Sequence, residues 1–217
     1  AGKSVVVPGD LSAAAFLVVG ASIVPNSDVT VRSVGMNPTR TGLLEILRQM
    51  GAHIEVLNPR EEAGEPVADL RVRSMPLRGV RIGPEQIPQT IDEFPILCVA
   101  ASVAEGETVI TGAEELRVKE SDRIATMATE LRAMGARIEE RPDGMVIEGL
   151  GRKGANGSLT GATCASHGDH RVAMSVAIGA LTASQPTQIE DTACIDTSFP
   201  NFERTLLGLL TDSGKRL

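Results

Sequence analysis

The chain has no Trp, no Tyr and only four Phe. Flat rings on which unpaired bases could stack are therefore almost missing, which argues against a single-stranded nucleic-acid platform. Positive charge is also in deficit. Asp and Glu number 28 against 21 Lys and Arg, a formal net charge of −7, and an acidic surface does not attract a polyanion through general charge. Cysteine is scarce and odd in number: Cys98, Cys164 and Cys194. That pattern reads as reduced thiols in a cytoplasm rather than a disulfide framework. No apolar run reaches the length of a membrane span, and no signal-peptide pattern opens the chain. An initial Met is absent too. The chain starts at Ala1 and enters the strand-like run Ser4-Val5-Val6-Val7 at once, from which we expect a piece of something longer.

What is present is apolar and small. Hydrophobic residues make up 42% of 217, enough for a real core in one large or two small domains. With so few aromatics, that core is built from Val, Ile, Leu, Ala and Met, which suit close helix packing.

The chain repeats itself. Leu47-Arg48-Gln49-Met50-Gly51-Ala52-His53-Ile54-Glu55 matches Leu131-Arg132-Ala133-Met134-Gly135-Ala136-Arg137-Ile138-Glu139. Each reads as a helix end, a Gly stop and a strand start. Upstream, an Asp opens an apolar, Ala-rich helix followed by a β-branched strand. This happens three times, after Asp10, Asp92 and Asp169. Helices apolar nearly all round are buried. The pattern predicts units of strand, buried helix, strand, second helix, strand, strand. The second helices are expected near 41–50, 121–134 and 199–210, with strands near 53–57, 70–73, 137–139 and 145–148. Residues 58–68, rich in Pro and Glu, read as a solvated loop, as does the Gly-rich stretch 149–161. The expected fold is α/β, one domain over 1–217, with repeats near 4–75, 78–150 and 158–212. The third repeat lacks its closing strands, which leaves sheet edges open.

Charged residues gather at the helix starts. For Asp10, after Pro8-Gly9, simple N-capping suffices. Arg117-Val118-Lys119-Glu120-Ser121-Asp122-Arg123 places three cations and two carboxylates at one helix start. It reads either as a salt-bridged first turn or as an anion site, where Lys and Arg supply charge and the helix start supplies amide donors. Glu120 there could move protons if its environment tuned it. Gly168-Asp169-His170-Arg171 opens the third buried helix, with Arg171 as a bidentate anion donor. Cys164, His167 and His170 are spaced too tightly for a good zinc site, and no metal is expected. Arg32 and Arg40 flank the corresponding junction of the first unit. Pseudo-symmetry would bring these junctions to one electropositive end, suited to a substrate with several anionic groups.

These blocks, in order, resemble the 5-enolpyruvylshikimate-3-phosphate synthase family. The resemblance rests on Pro8-Gly9-Asp10-Leu11-Ser12, Ile87-Pro88 with Asp92, Lys119-Glu120-Ser121-Asp122-Arg123, Asp169-His170-Arg171-Val172-Ala173-Met174 and Ser198-Phe199-Pro200. It runs from about residue 5 to about residue 205. It implies an enolpyruvyl transferase-type lobe of three β-α-β-α-β-β repeats around buried helices, the C-terminal one of two lobes. It implies transfer of the enolpyruvyl group of phosphoenolpyruvate to the 5-hydroxyl of shikimate 3-phosphate through a tetrahedral intermediate, without metal or organic cofactor. Asp92 would bind the shikimate hydroxyls and share in proton transfer, and Lys119 would contact the same substrate. Glu120 would be an acid/base. Arg123 and Arg171 would hold phosphoenolpyruvate, or the inhibitor glyphosate, with His170 in support. The implied partners are the two substrates and a missing N-terminal lobe, with no nucleic acid and no membrane, in the cytoplasm. Alone, the lobe would hold half a site and be inactive. Two departures stand out. Thr197 replaces a Lys of the phosphoenolpyruvate clamp, and Glu115 replaces an Asn that contacts substrate; both point to a subgroup less sensitive to glyphosate. The related UDP-N-acetylglucosamine enolpyruvyl transferases carry Asp-Leu-Arg in place of Asp169-His170-Arg171. A non-catalytic binding fragment and an RNA-processing relative are further readings, the latter opposed by the acidic charge.

Overall fold

Three apolar helices form the centre of the computed structural model, which describes residues 2, 6–151 and 159–212. They are α1 (Leu11–Ile23), α3 (Phe94–Val103) and α5 (His170–Ala180), and they pack against one another. Their sequences carry almost no polar face, so burial on all sides is what stabilises them. Small residues let the axes approach. A Cβ on Gly20 would lie 3.4 Å from Ile178 Cδ1, and one on Gly179 would lie 3.5 Å from Val99 Cγ1.

Around this centre lie three sheets. The first is antiparallel, with β1 (Asp28–Gly35) and β2 (His53–Glu62) on either side of β3 (Glu65–Arg73). The second runs β4 (Arg81–Ile82), β5 (Glu105–Ile110), β7 (Gly144–Leu150), β6 (Arg137–Arg141); β4 and β5 are parallel and the other pairs antiparallel. The third is the parallel pair β8 (Thr163–Ala165) and β9 (Gln188–Glu190). In the second and third sheets a parallel pair brackets a buried helix, and in the first Gly9 makes a single parallel bridge to Val34 across α1. Of the expected first strand, Val6 and Val7 take no regular structure, and Ser4 and Val5 lie outside the described residues.

Two amphipathic helices, α2 (Gly42–Gln49) and α4 (Arg123–Ala133), fall close to the expected second-helix positions. Their ends are alike because their sequences are. Gly51 and Gly135 have φ of 94° and 86°. The amides of Ala52 and Ala136 then close back onto the Leu47 and Leu131 carbonyls at 2.8 and 2.9 Å. Gly accepts that left-handed conformation without strain. The last helix, α6 (Phe202–Asp212), begins later than expected. Phe202 docks it edge-on against Phe16 of α1 at 6.1 Å.

The stretch 58–68 is not a loop. It completes β2 and β3, paired from Arg60 with Val67 to Glu62 with Glu65. Ala63 and Gly64 both have positive φ, 54° and 86°, which is what a two-residue hairpin turn requires. Of the other expected loop, Gly149 and Leu150 belong to β7 and Leu159 bridges Ala183; residues 152–158 lie outside the described residues. Among the described residues, no helix is long and apolar enough to cross a membrane.

Candidate active site

The starts of α1, α3, α4 and α5 meet at one end of the domain. Asp10 caps α1 through the Ala13 amide at 3.0 Å, and Asp122 caps α4 through the Ala125 amide at 3.0 Å. Asp169 caps α5, accepting from the Arg171 and Val172 amides. Asp92 makes no such cap. It sits in a short 3₁₀ turn, Ile91–Glu93, just before α3, which leaves its carboxylate for other partners.

Arg123 is the hub. It is the largest fully buried side chain among the described residues, with 1% exposed. Its Nε donates to Asp169 Oδ2 at 2.9 Å and its Nη2 to Glu120 Oε2 at 2.5 Å, while Nη1 stands 3.8 Å from Asp92 Oδ1. Arg171 donates from Nη1 to the Asp92 carbonyl at 2.9 Å and places Nη2 3.5 Å from Asp92 Oδ2. Arg40 approaches the same oxygen to 3.8 Å. Gly42 permits that approach, since a Cβ there would lie 2.6 Å from Thr90 Cγ2 and 2.8 Å from the Gln89 carbonyl.

Asp92, Glu120, Arg123 and Arg171 are therefore in one cluster, as the motif order implied. Glu120 is at its rim, half exposed. Lys119 is held by Glu115 at 2.6 Å, so Glu115 gives Lys119 a counter-ion. His170 lies partly buried beside Arg171. Burial and the Arg171 charge hold its imidazole below the usual pKa of 6.5, which keeps it neutral at neutral pH. Arg117 is spent elsewhere. It binds Asp122, Glu140 and the carbonyls of Arg141 and Pro142, tying the α4 start to the β6–β7 turn. Thr197 donates to the Cys194 carbonyl. His167 and Cys164 face Glu130 rather than each other: His167 Nε2 is 2.7 Å from Glu130 Oε1, and Cys164 Sγ is 4.0 Å from the Glu130 carbonyl.

The expected electropositive face is in fact a lattice of both signs, because each guanidinium at the helix starts is matched by carboxylates. Sequence reading missed Glu93 and the contact role of Ser12. Glu93 is 3% exposed and its Oε1 accepts the Ser12 hydroxyl, which itself accepts from Arg40 Nη2 at 2.7 Å. The available signal was a charged residue at the head of an otherwise apolar helix. Burial pushes the Glu93 carboxyl above its usual pKa. Asp169 is buried too, yet Arg123, the Arg171 amide and the Ser121 hydroxyl outweigh burial and hold it below the usual range.

The profile of the EPSP synthase (3-phosphoshikimate 1-carboxyvinyltransferase) family matches residues 1–206. The 3-phosphoshikimate 1-carboxyvinyltransferase of Sphingopyxis alaskensis is 56% identical over 95% of this chain and 46% of its own length. That of Geobacter sulfurreducens is 57% identical over 94% and 46%. The solved EPSP synthase of Acinetobacter baumannii superposes with a TM-score of 0.91 at 46% identity, covering 97% of this chain and 47% of that one. The enolpyruvyl transferase NikO of Streptomyces tendae, at 16% identity and a TM-score of 0.71, shares the fold over 94% of this chain and 43% of its own. The chain thus spans about half the length of the curated relatives it matches. With motif order, helix-start cluster and profile all in agreement, the chain belongs to the EPSP synthase (3-phosphoshikimate 1-carboxyvinyltransferase) family.

Proposed function

We propose that this chain is the C-terminal lobe, over 1–217, of a two-lobe cytoplasmic enzyme that transfers the enolpyruvyl group of phosphoenolpyruvate to the 5-hydroxyl of shikimate 3-phosphate. The observation that carries this reading is the convergence of Asp92, Glu120, Arg123 and Arg171 on one cluster of helix starts. The reaction adds the hydroxyl oxygen to the enol carbon and a proton to the methylene carbon, then expels phosphate and that proton. It needs an acid/base near the methylene and cations for the phosphate. Glu120, half exposed at the rim, has the freedom to act as the acid/base. Asp92 takes the hydroxyl proton, and Lys119 contacts the shikimate portion.

Arg123 and Arg171 hold phosphoenolpyruvate. An anion reaching Arg123 Nη2 takes the place of Glu120 Oε2, so substrate binding and release of the Glu120 carboxylate are one event. A neutral His170 supports the clamp without competing for the anion. No cofactor enters these steps, and neither a membrane nor a nucleic acid is a partner. The second lobe completes the site, and half a clamp binds weakly because linked contacts are lost.

Phosphate release from phosphoenolpyruvate and shikimate 3-phosphate tests this, with the chain alone and with an N-terminal lobe added. Release only on addition is expected. Release with UDP-N-acetylglucosamine but not shikimate 3-phosphate as acceptor would overturn the substrate assignment, and full activity of the chain alone would overturn the half-site.

A further inference from the structure

Glu93 follows Asp92 directly and is the more buried of the two, at 3% exposure against 35% for the Asp92 side chain. A buried carboxylate costs stability unless it is hydrogen-bonded or paired, so its partners show its purpose. Oε1 accepts the Ser12 hydroxyl and stands 3.9 Å from Arg171 Nη1. The Ser12 oxygen accepts from Arg40 Nη2 at 2.7 Å. A guanidinium only donates. Arg40 therefore occupies a lone pair of Ser12, and the serine proton is left to point at Glu93. Arg40 Nη2 and Arg171 Nη2 also approach the same Asp92 oxygen, to 3.8 and 3.5 Å. Two cations that would repel each other thus share Asp92 in front and Glu93 behind.

We propose that Glu93 is a positioning residue: through Ser12 it fixes Arg40, and directly it steadies Arg171, so that the two guanidiniums form a paired anion subsite beside Asp92. This rests on the reading of Arg171 as a substrate-anion ligand. Glu93 itself touches no substrate. Arg40 is half exposed, so its remaining donors face the solution. Because Arg40 follows β1, Ser12 lies in α1, Glu93 heads α3 and Arg171 opens α5, the relay sets the spacing of all three buried helices at the end where the site is built.

The test uses this chain, its arginine side-chain N–H signals in NMR, and inorganic phosphate as the probe. Phosphate should shift the Arg40 and Arg171 signals of the parent chain. Ser12→Ala should free rotation of the Arg40 guanidinium and weaken phosphate about five- to tenfold, the effect of one charge-assisted hydrogen bond. Ser12→Thr, which keeps the hydroxyl, should restore both within about twofold on the same reasoning. Glu93→Gln should weaken phosphate, and adding Ser12→Ala to it should cost little more, because both act through one relay. Unchanged Arg40 rotation in Ser12→Ala, an affinity loss that Ser12→Thr fails to restore, or no response of the parent chain to phosphate overturns the proposal. The expected arginine behaviour in a chain that supports no enolpyruvyl transfer with its second lobe would instead sink the reaction assigned above and keep the relay.

Discussion

Arg123 Nε lies 2.9 Å from Asp169 Oδ2, and the two side chains are only 1% and 0% exposed. This pair joins the start of α4 to the start of α5 and so couples the two sequence motifs. Removing one partner of a buried pair strands the other, at about 3–5 kcal/mol. Arg123→Ala should lower the unfolding free energy by about that much in urea titrations. Asp169→Asn should cost less, because an amide oxygen still accepts from the Arg171 and Val172 amides and Arg123 keeps Glu120. A loss under about 1 kcal/mol for Arg123→Ala, the range of an exposed pair, would show that water reaches this pair.

Asp169 and Glu93 should give stability opposite slopes with pH. Burial pushes the Asp169 carboxyl up, but Arg123, the Arg171 amide and the Ser121 hydroxyl outweigh it, leaving the folded pKa below the usual 3.8. Its contribution is present above the unfolded pKa and lost as pH falls through the folded one. For Glu93 burial prevails over Ser12 and Arg171, and the folded pKa lies above the usual 4.5. Its contribution is fully present below the unfolded pKa and lost as pH rises through the folded one. Glu93→Gln should therefore be more stable than the parent at about pH 8, with the gain fading towards about pH 4, while the loss in Asp169→Asn should fade towards about pH 3. Urea titrations across that range measure both, and the same trend in the two variants would refute the assignment.

The sequence made α2 and α4 legible because each pairs an apolar stripe with a Met-Gly-Ala stop. It also brought Asp92, Glu120, Arg123 and Arg171 to one end, because chain order fixes where helices start. Two things escaped it. Pro59, Pro66 and the four charged residues Arg60, Glu61, Glu62 and Glu65 made 58–68 read as a solvated loop, although Ala63 and Gly64 form the turn of a hairpin whose outer face is simply wet. Glu93 escaped for the opposite reason. Its partners, Ser12 and Arg171, are far away in sequence, and only the packing of α1, α3 and α5 brings them to it. Local patterns report elements; a buried polar relay exists only once those elements are packed.

The hairpin offers a simple check on its turn. Ala63 is exposed at φ 54°, a conformation that Asn and Gly tolerate better than Ala. Ala63→Asn or Ala63→Gly should stabilise the protein by about 0.5–1 kcal/mol. Gly64, at φ 86°, has open space where a Cβ would go, so Gly64→Ala should destabilise by about 1 kcal/mol through backbone strain alone. Thermal melts that move in the same direction for both positions would contradict this turn.

In the two-lobe enzyme, Glu120 is expected to act on the reaction more than on binding. It is half exposed, and its contact with Arg123 is one that substrate can replace. Glu120→Gln should lower kcat by about 10²–10⁴, the usual worth of a positioned acid/base, with KM for phosphoenolpyruvate unchanged or lower, because a neutral amide holds Arg123 less tightly against the incoming anion. A rise in KM at constant kcat would mean that Glu120 binds substrate rather than moving its proton.

Glu130 on α4 should prove a structural anchor for the segment that carries Asp169. It is 5% exposed. Oε2 accepts the Ala165 amide at 3.1 Å and Oε1 meets His167 Nε2 at 2.7 Å. One carboxylate thus grips both ends of a short segment, and Asp169 follows two residues later. His167 holds a φ of 55°, unfavourable for a residue with a side chain, so the grip also offsets backbone strain. Glu130→Ala leaves the Ala165 amide without its acceptor and opens a void, together costing about 2–4 kcal/mol. Amide exchange at Ala165 should quicken before the core strands open, since the anchor acts locally. Glu130→Gln keeps an acceptor for the amide and should retain most of that protection. If exchange at Ala165 were unchanged in Glu130→Ala, the segment would be held by β8 pairing and the Asp169 cap alone, and Glu130 would have no part in placing Arg123.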